Sequence, residues 1–127
     1  MQRRFSSTIV VLMVLASPGP AVAKSRVDCR GVTKQSACVG QEICIDDPIR
    51  LPGNTRFSLF PATMTYSTTA TKGRIATIAP IEGGGRTFVV YPPIFESRAI
   101  ELSGDGATAK GIGSLYNYYF KCEKEGR

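Results

Sequence analysis

From residue 27 onward the apolar positions come in short runs, several of them alternating with polar residues, and Gly, Pro or Asn interrupts them roughly every ten residues. Alternation at period two with such close punctuation predicts strands. Those expected are Val27 to Arg30, Ile49 to Leu51, Thr55 to Phe60, Thr63 to Ser67, Arg74 to Ile78, Thr87 to Tyr91, Arg98 to Leu102 and Leu115 to Cys122. Turns are expected at Pro52-Gly53-Asn54, Thr71-Lys72-Gly73, Gly83-Gly84-Gly85 and Ser103-Gly104-Asp105-Gly106, where Gly permits the positive φ of tight hairpins. No segment carries the 3.6-residue period of a helix of useful length. Short connections set sequential strands antiparallel. The predicted fold is therefore all-β, a small antiparallel meander of about seven or eight strands closing into a barrel or a sandwich.

The last strand is the most readable. Tyr116, Tyr118, Phe120 and Cys122 share one face, and Asn117, Tyr119 and Lys121 share the other. The Cys122 face is the expected core. Two segments break the alternation: Thr87 to Tyr91 is apolar on both faces, and so in part is Leu115 to Phe120. Outward apolar side chains then need a loop, a partner or a second copy to cover them. This makes Val89, Tyr91 and Tyr119 the residues predicted to contact a partner. Pro92-Pro93 directly follows the first of these runs and breaks strand pairing there.

Met1 to Ala23 reads as a signal peptide, with Arg3 and Arg4 as the positive n-region, Ile9 to Ala16 as an apolar run of eight, and Ala21-Val22-Ala23 as the cleavage site. Cleavage is expected between Ala23 and Lys24, leaving one domain, residues 24–127. The apolar run is too short to span a bilayer, so no transmembrane segment is predicted. Export to the periplasm or the extracellular space implies an oxidising compartment. Cys29, Cys38, Cys44 and Cys122 are accordingly expected to form two disulfides. Eight, five and seventy-seven residues separate successive cysteines, so no closely spaced pair preorganises a zinc knuckle. Of three connectivities, Cys29 with Cys122 and Cys38 with Cys44 is preferred. The first ties the ends of the mature chain, where closing a barrel sets the last strand beside the first, and the second closes a short loop containing Gly40.

Composition narrows the function classes. The 127-residue chain has no His and no Trp. It therefore lacks an imidazole general base, a His-dependent nucleophile system and His metal ligands, and no enzyme activity, metal or cofactor is predicted. Removing residues 1–23 lowers the formal charge from +6 to +4, which is mildly basic, and the Arg residues that remain are dispersed along the chain, unlike the basic cluster of a nucleic-acid binder. Weak contact with anionic envelope polymers is the most such a charge supports. Asp46-Asp47-Pro48 reads as a turn cap, Glu96, Arg98 and Glu101 as solvated charges, Gly83-Gly84-Gly85-Arg86 as a flexible hairpin without a P-loop's Lys-Ser/Thr, and Ser103 to Gly106 as a turn with too few oxygens for calcium.

The plan, a small exported β domain with cysteines at both ends and a C-terminal aromatic strand ending in Cys, is similar to the periplasmic inhibitors of c-type lysozyme. The resemblance is one of architecture: the Ser-Gly-x-x-Tyr segment with which those inhibitors enter the lysozyme cleft is absent, the nearest being Ser103-Gly104-Asp105-Gly106 with no Tyr following. No site residue is carried over. The expected function is that of a non-enzymatic, exported binding protein of the cell envelope, with an envelope or host protein as partner and self-association as one form of partnership. One alternative is a proteinaceous inhibitor that plugs a cell-wall hydrolase with a loop such as Glu82 to Arg86 or Ser103 to Gly113. Another is a lipocalin-like carrier of a small ligand, which needs an open barrel interior.

Overall fold

The structure, a computed structural model, describes residues 26–38, 40 and 47–124. The expected signal peptide, Cys44 and Asp46 lie outside the described residues. Nine strands follow in chain order: β1 (Val27–Ser36), β2 (Ile49–Arg50), β3 (Arg56–Phe60), β4 (Thr65–Thr68), β5 (Lys72–Pro80), β6 (Arg86–Ile94), β7 (Ser97–Leu102), β8 (Thr108–Ile112) and β9 (Tyr116–Lys124). Each strand from β3 to β9 pairs antiparallel with the next, and β9 returns to pair with β1, closing an eight-stranded barrel. The short β2 is the extra strand. It lies on the edge of β1 that also pairs with β3, Thr33 opposite Arg50 where Arg30 is opposite Arg56. Among the described residues no helix is long and apolar enough to cross a membrane.

Closure selects the barrel over the sandwich, and its cause is the length of β1. The strand expected to end at Arg30 continues to Ser36 through an irregularity between Gly31 and Thr33 that shifts the register. A Cβ on Gly31 would stand 2.8 Å from Leu51 and 2.9 Å from Thr55, so only glycine lets this crowded stretch pass. With that extension β1 matches β9 from Val27–Lys124 to Ser36–Tyr116. Near one end of this seam Cys29 and Cys122 stand directly opposite each other, both buried, and form the expected disulfide. Among the described residues it is the one disulfide seen.

The interior is packed with side chains. Tyr66, Phe88, Phe120, Leu59, Ile94, Ile100 and Val27 are fully buried, and Phe57 meets Phe120 edge to face with ring centroids 4.8 Å apart. The expected core face of β9 holds, since Tyr118, Phe120 and Cys122 are buried and Tyr116 packs against them. One strand, β8, went unforeseen because its inward positions are Ala109 and Gly111, which carry almost no hydrophobic signal. Gly111 is small for a reason of space: a Cβ there would lie 2.4 Å from Ser97 Oγ and 3.3 Å from the Phe120 ring.

Two expectations are corrected. Leu115 stands outside β9, 70% exposed. Glu96 is exposed, as expected, but it is not in a strand: it sits with Phe95 in the tight turn between β6 and β7, both at positive φ, and its carboxylate accepts a hydrogen bond from the Tyr118 hydroxyl at 3.3 Å. Pro92-Pro93 does interrupt pairing, as expected. The β6–β7 ladder jumps from Val89–Ala99 to Ile94–Ser97, because two successive residues without an N–H have nothing to donate.

Candidate functional site

The outer wall formed by β3, β1, β9 and β8 carries two adjoining grooves that meet at Thr108 and Lys121. The first, of about 530 Å³, runs along β8 and β9 and is lined among others by Val32, Ile81, Glu101, Lys110 and Tyr119. Tyr119 is half-buried here and points outward between its cross-strand neighbours Thr33 and Lys110. Val32 reaches this wall from the irregular stretch of β1. Ile81 arrives from the turn between β5 and β6, where Glu82–Gly84 form a short 3-10 turn with Gly83 and Gly84 at φ +83.

That turn is held against the β7–β8 turn by contacts only glycine allows. A Cβ on Gly85 would lie 2.2 Å from the Leu102 carbonyl oxygen, and one on Gly104 would lie 2.5 Å from that of Gly83. Backbone thus rests on backbone, which fixes Ile81 over the groove. The β7–β8 turn is itself locked by Asp105, whose carboxylate accepts from Ser103 Oγ at 2.7 Å and from the Ala107 amide at 2.9 Å. Those two donors hold the Asp105 carboxyl below its usual range. The expected reading of Ser103 to Gly106 as a turn is what the structure shows, and the triple glycine has a packing role beyond flexibility.

The second groove, of about 690 Å³, lies over the disulfide end of the seam, between β3, β1, β9 and the chain entering β8. Its outward residues stand in cross-strand rows. Arg56, Arg30, Lys121 and Thr108 face one another across successive strands, and Ser58, Asp28 and Glu123 form the next row. Asp28 is engaged on both oxygens: Oδ1 accepts from Ser58 Oγ at 2.6 Å, and Oδ2 accepts from Arg26 Nε at 3.3 Å, which also lies 3.1 Å from Oδ1. Sequence reading saw the arginines as dispersed. The register gathers Arg30, Arg56 and Lys121 from three distant segments, which spacing along the chain cannot reveal.

Of the three predicted contact residues, the structure brings neither Val89 nor Tyr91 together with Tyr119. Val89 and Tyr91 project from β6, with two strands between them and β9, and remain 41% and 64% exposed. No described segment covers them, although the Arg74 guanidinium lies 5.6 Å from the Tyr91 ring centre. At the barrel end where β9 begins, Lys34 lies 4.5 Å from the Tyr116 ring centre and 5.9 Å from that of Tyr118. Burial, together with the Glu96 carboxylate, pushes the Tyr118 hydroxyl above the usual tyrosine value, and burial alone does the same to Tyr66, which donates to the Pro92 carbonyl. These polar groups are satisfied within the fold. Among the described residues no three Cys, Asp or Glu side chains converge as metal ligands would.

No family model, no curated protein and no solved structure matches the chain, so its function is argued from this surface.

Proposed function

We propose that this is an exported, non-enzymatic binding protein of the cell envelope whose partner, another protein, docks on the outer wall at the Tyr119 groove. The observation that carries the reading is the contrast between an interior filled by Tyr66, Phe88, Phe120 and their neighbours and a concave, largely apolar groove on the outside. A carrier of the lipocalin kind needs the opposite arrangement. Aromatic side chains with a polar tip, half-buried in a depression and rimmed by charge, are the usual anchors of protein interfaces, and Tyr119, in one cross-strand row with Lys110 and Glu101, fits that description. Export rests on the Met1 to Ala23 segment, and the seam disulfide is of the kind that oxidising compartments preserve. A second bridge between Cys38 and Cys44 belongs to the same reading.

The test is retention of an envelope protein by the purified, oxidised chain. Wild type and Tyr91→Ser should retain the same band, and Tyr119→Ser should lose it. Equal retention by wild type and Tyr119→Ser would overturn the assignment of the groove. The inhibitor alternative is separated by hydrolase assays: loss of lysozyme activity at stoichiometric protein would support it.

A further inference from the structure

The charged groove beside the Tyr119 site carries an inference of its own, which does not depend on that site. We propose that the row Arg56, Arg30, Lys121 and Thr108 binds a linear acidic oligosaccharide, one carboxylate per sugar, laid across the strands. Register sets the geometry: Arg30 stands directly opposite Arg56 on one side and Lys121 on the other, and Lys121 opposite Thr108. Neighbouring strands lie about 4.8 Å apart, so the three cations form a line of about 10 Å between the outer Cα positions. All three side chains are exposed and line one side of a groove of about 690 Å³, whose other side carries Ser58, Asp28 and Glu123.

Three features select the ligand. Like charges placed directly opposite each other destabilise a sheet, so a wall built for stability alone would alternate their signs. The nearest carboxylate row does not neutralise them: Asp28 is occupied by Arg26 and Ser58, and among the described residues the ion pair within 4 Å is Arg26–Asp28. A ligand anion replaces that missing partner. Next, the guanidinium groups of Arg30 and Arg56 present planar forks that match carboxylates in two-point fashion, although Arg56 Nε already donates to the Gly53 carbonyl at 3.2 Å. Finally, Asp28 and Glu123 lie in the adjacent row and repel any anion spreading beyond the line. A flat anionic membrane would press on both rows at once, whereas a single chain can lie against the cationic side of the groove. Thr108 at the end of the row offers a hydroxyl to a sugar hydroxyl.

The experiment is calorimetric titration of the oxidised chain with hexagalacturonate, with inorganic tripolyphosphate and with uncharged maltohexaose, at low and at physiological ionic strength. Saturable binding of hexagalacturonate is expected, with affinity lowered at least about tenfold by Arg30→Gln, the central cation. Lys72→Gln, on β5 two strands beyond Arg56, and Tyr119→Ser should leave it unchanged, and Glu123→Gln should tighten it. Thermal melts of each variant establish that the exposed substitutions leave the fold intact. Absence of saturable hexagalacturonate binding overturns the proposal. So does equal weakening by Lys72→Gln and Arg30→Gln, which marks unspecific charge attraction, and so does preference for tripolyphosphate, which marks a phosphate site. Loss through Tyr119→Ser would merge this site with the protein-docking groove and likewise overturn it.

Discussion

Replacing Cys29 and Cys122 together by alanine removes the covalent closure of the barrel while leaving its hydrogen-bonded seam. The bridge spans 93 residues of sequence, nearly the whole described chain. In the chain-entropy treatment a loop of that length restricts the unfolded state by about 4 to 5 kcal/mol at 25 °C. A domain of this size is commonly stable by about 5 to 15 kcal/mol, so the loss takes a large share of the total. The nine register pairs of β1 with β9 do not depend on the sulfur atoms, so the variant should still close. Urea unfolding followed by far-ultraviolet circular dichroism at pH 7 reads the difference. With a slope of about 1 to 3 kcal/mol per molar urea, the midpoint should fall by about 1.5 M or more. Reduced wild type compared with the reduced double variant, both without any Cys38–Cys44 bridge, isolates the lost packing of two buried sulfurs from loop entropy. A loss below about 1 kcal/mol would mean that the unfolded chain is already held compact, and the account of the bridge as a constraint on that state would fail.

Tyr118→Ala removes a buried ring and should cost about 3 to 5 kcal/mol in urea melts, whereas Tyr119→Ala should cost about 1 kcal/mol or less; equal losses would place both faces of β9 inside the fold. Ser97 Oγ is buried without a hydrogen-bond partner, so Ser97→Ala should be neutral or stabilising in the same assay, while Gly111→Ala, driven into Ser97 Oγ at 2.4 Å, should destabilise by about 1 to 3 kcal/mol. Stability should fall at both pH extremes for different reasons. The Asp105 carboxyl titrates lower in the folded than in the unfolded chain, so its contribution is present above the unfolded value near pH 4 and vanishes as pH drops through the folded one; Asp105→Asn should flatten that decline. Tyr66 and Tyr118 titrate higher when folded, so stability is retained below about pH 10 and lost as pH rises toward their folded values; Tyr66→Phe should reduce the alkaline loss.

Much of the barrel was legible because alternation and turn chemistry are local. The inward face of β9, the turn at Ser103 to Gly106 and the pairing of Cys29 with Cys122 all follow from residues within one segment or from closing first strand on last. What escaped depends on neighbours distant in sequence. Strand β8 was hidden because its inward positions are Ala109 and Gly111, and Gly111 is small to make room for Ser97 and Phe120, a constraint set by two other strands. The reach of β1 was hidden because its irregularity at Gly31 scrambles the period on which strand reading relies. Tyr119 was readable as outward, but Val32 and Ile81, which make its surroundings a groove, come from β1 and from a turn at the far end of β5. The basic row is the extreme case, since each of its residues looks isolated until register sets them side by side.

The central claim is that this barrel acts through its outer wall at Tyr119. It is tested most directly by photo-crosslinking in the cells that make the protein, with a photoreactive phenylalanine analogue placed at position 119 and, separately, at exposed position 77 on β5. The account predicts one discrete protein adduct from position 119 and none from position 77. Adducts of equal yield at both positions, or an adduct from position 77 alone, would contradict it.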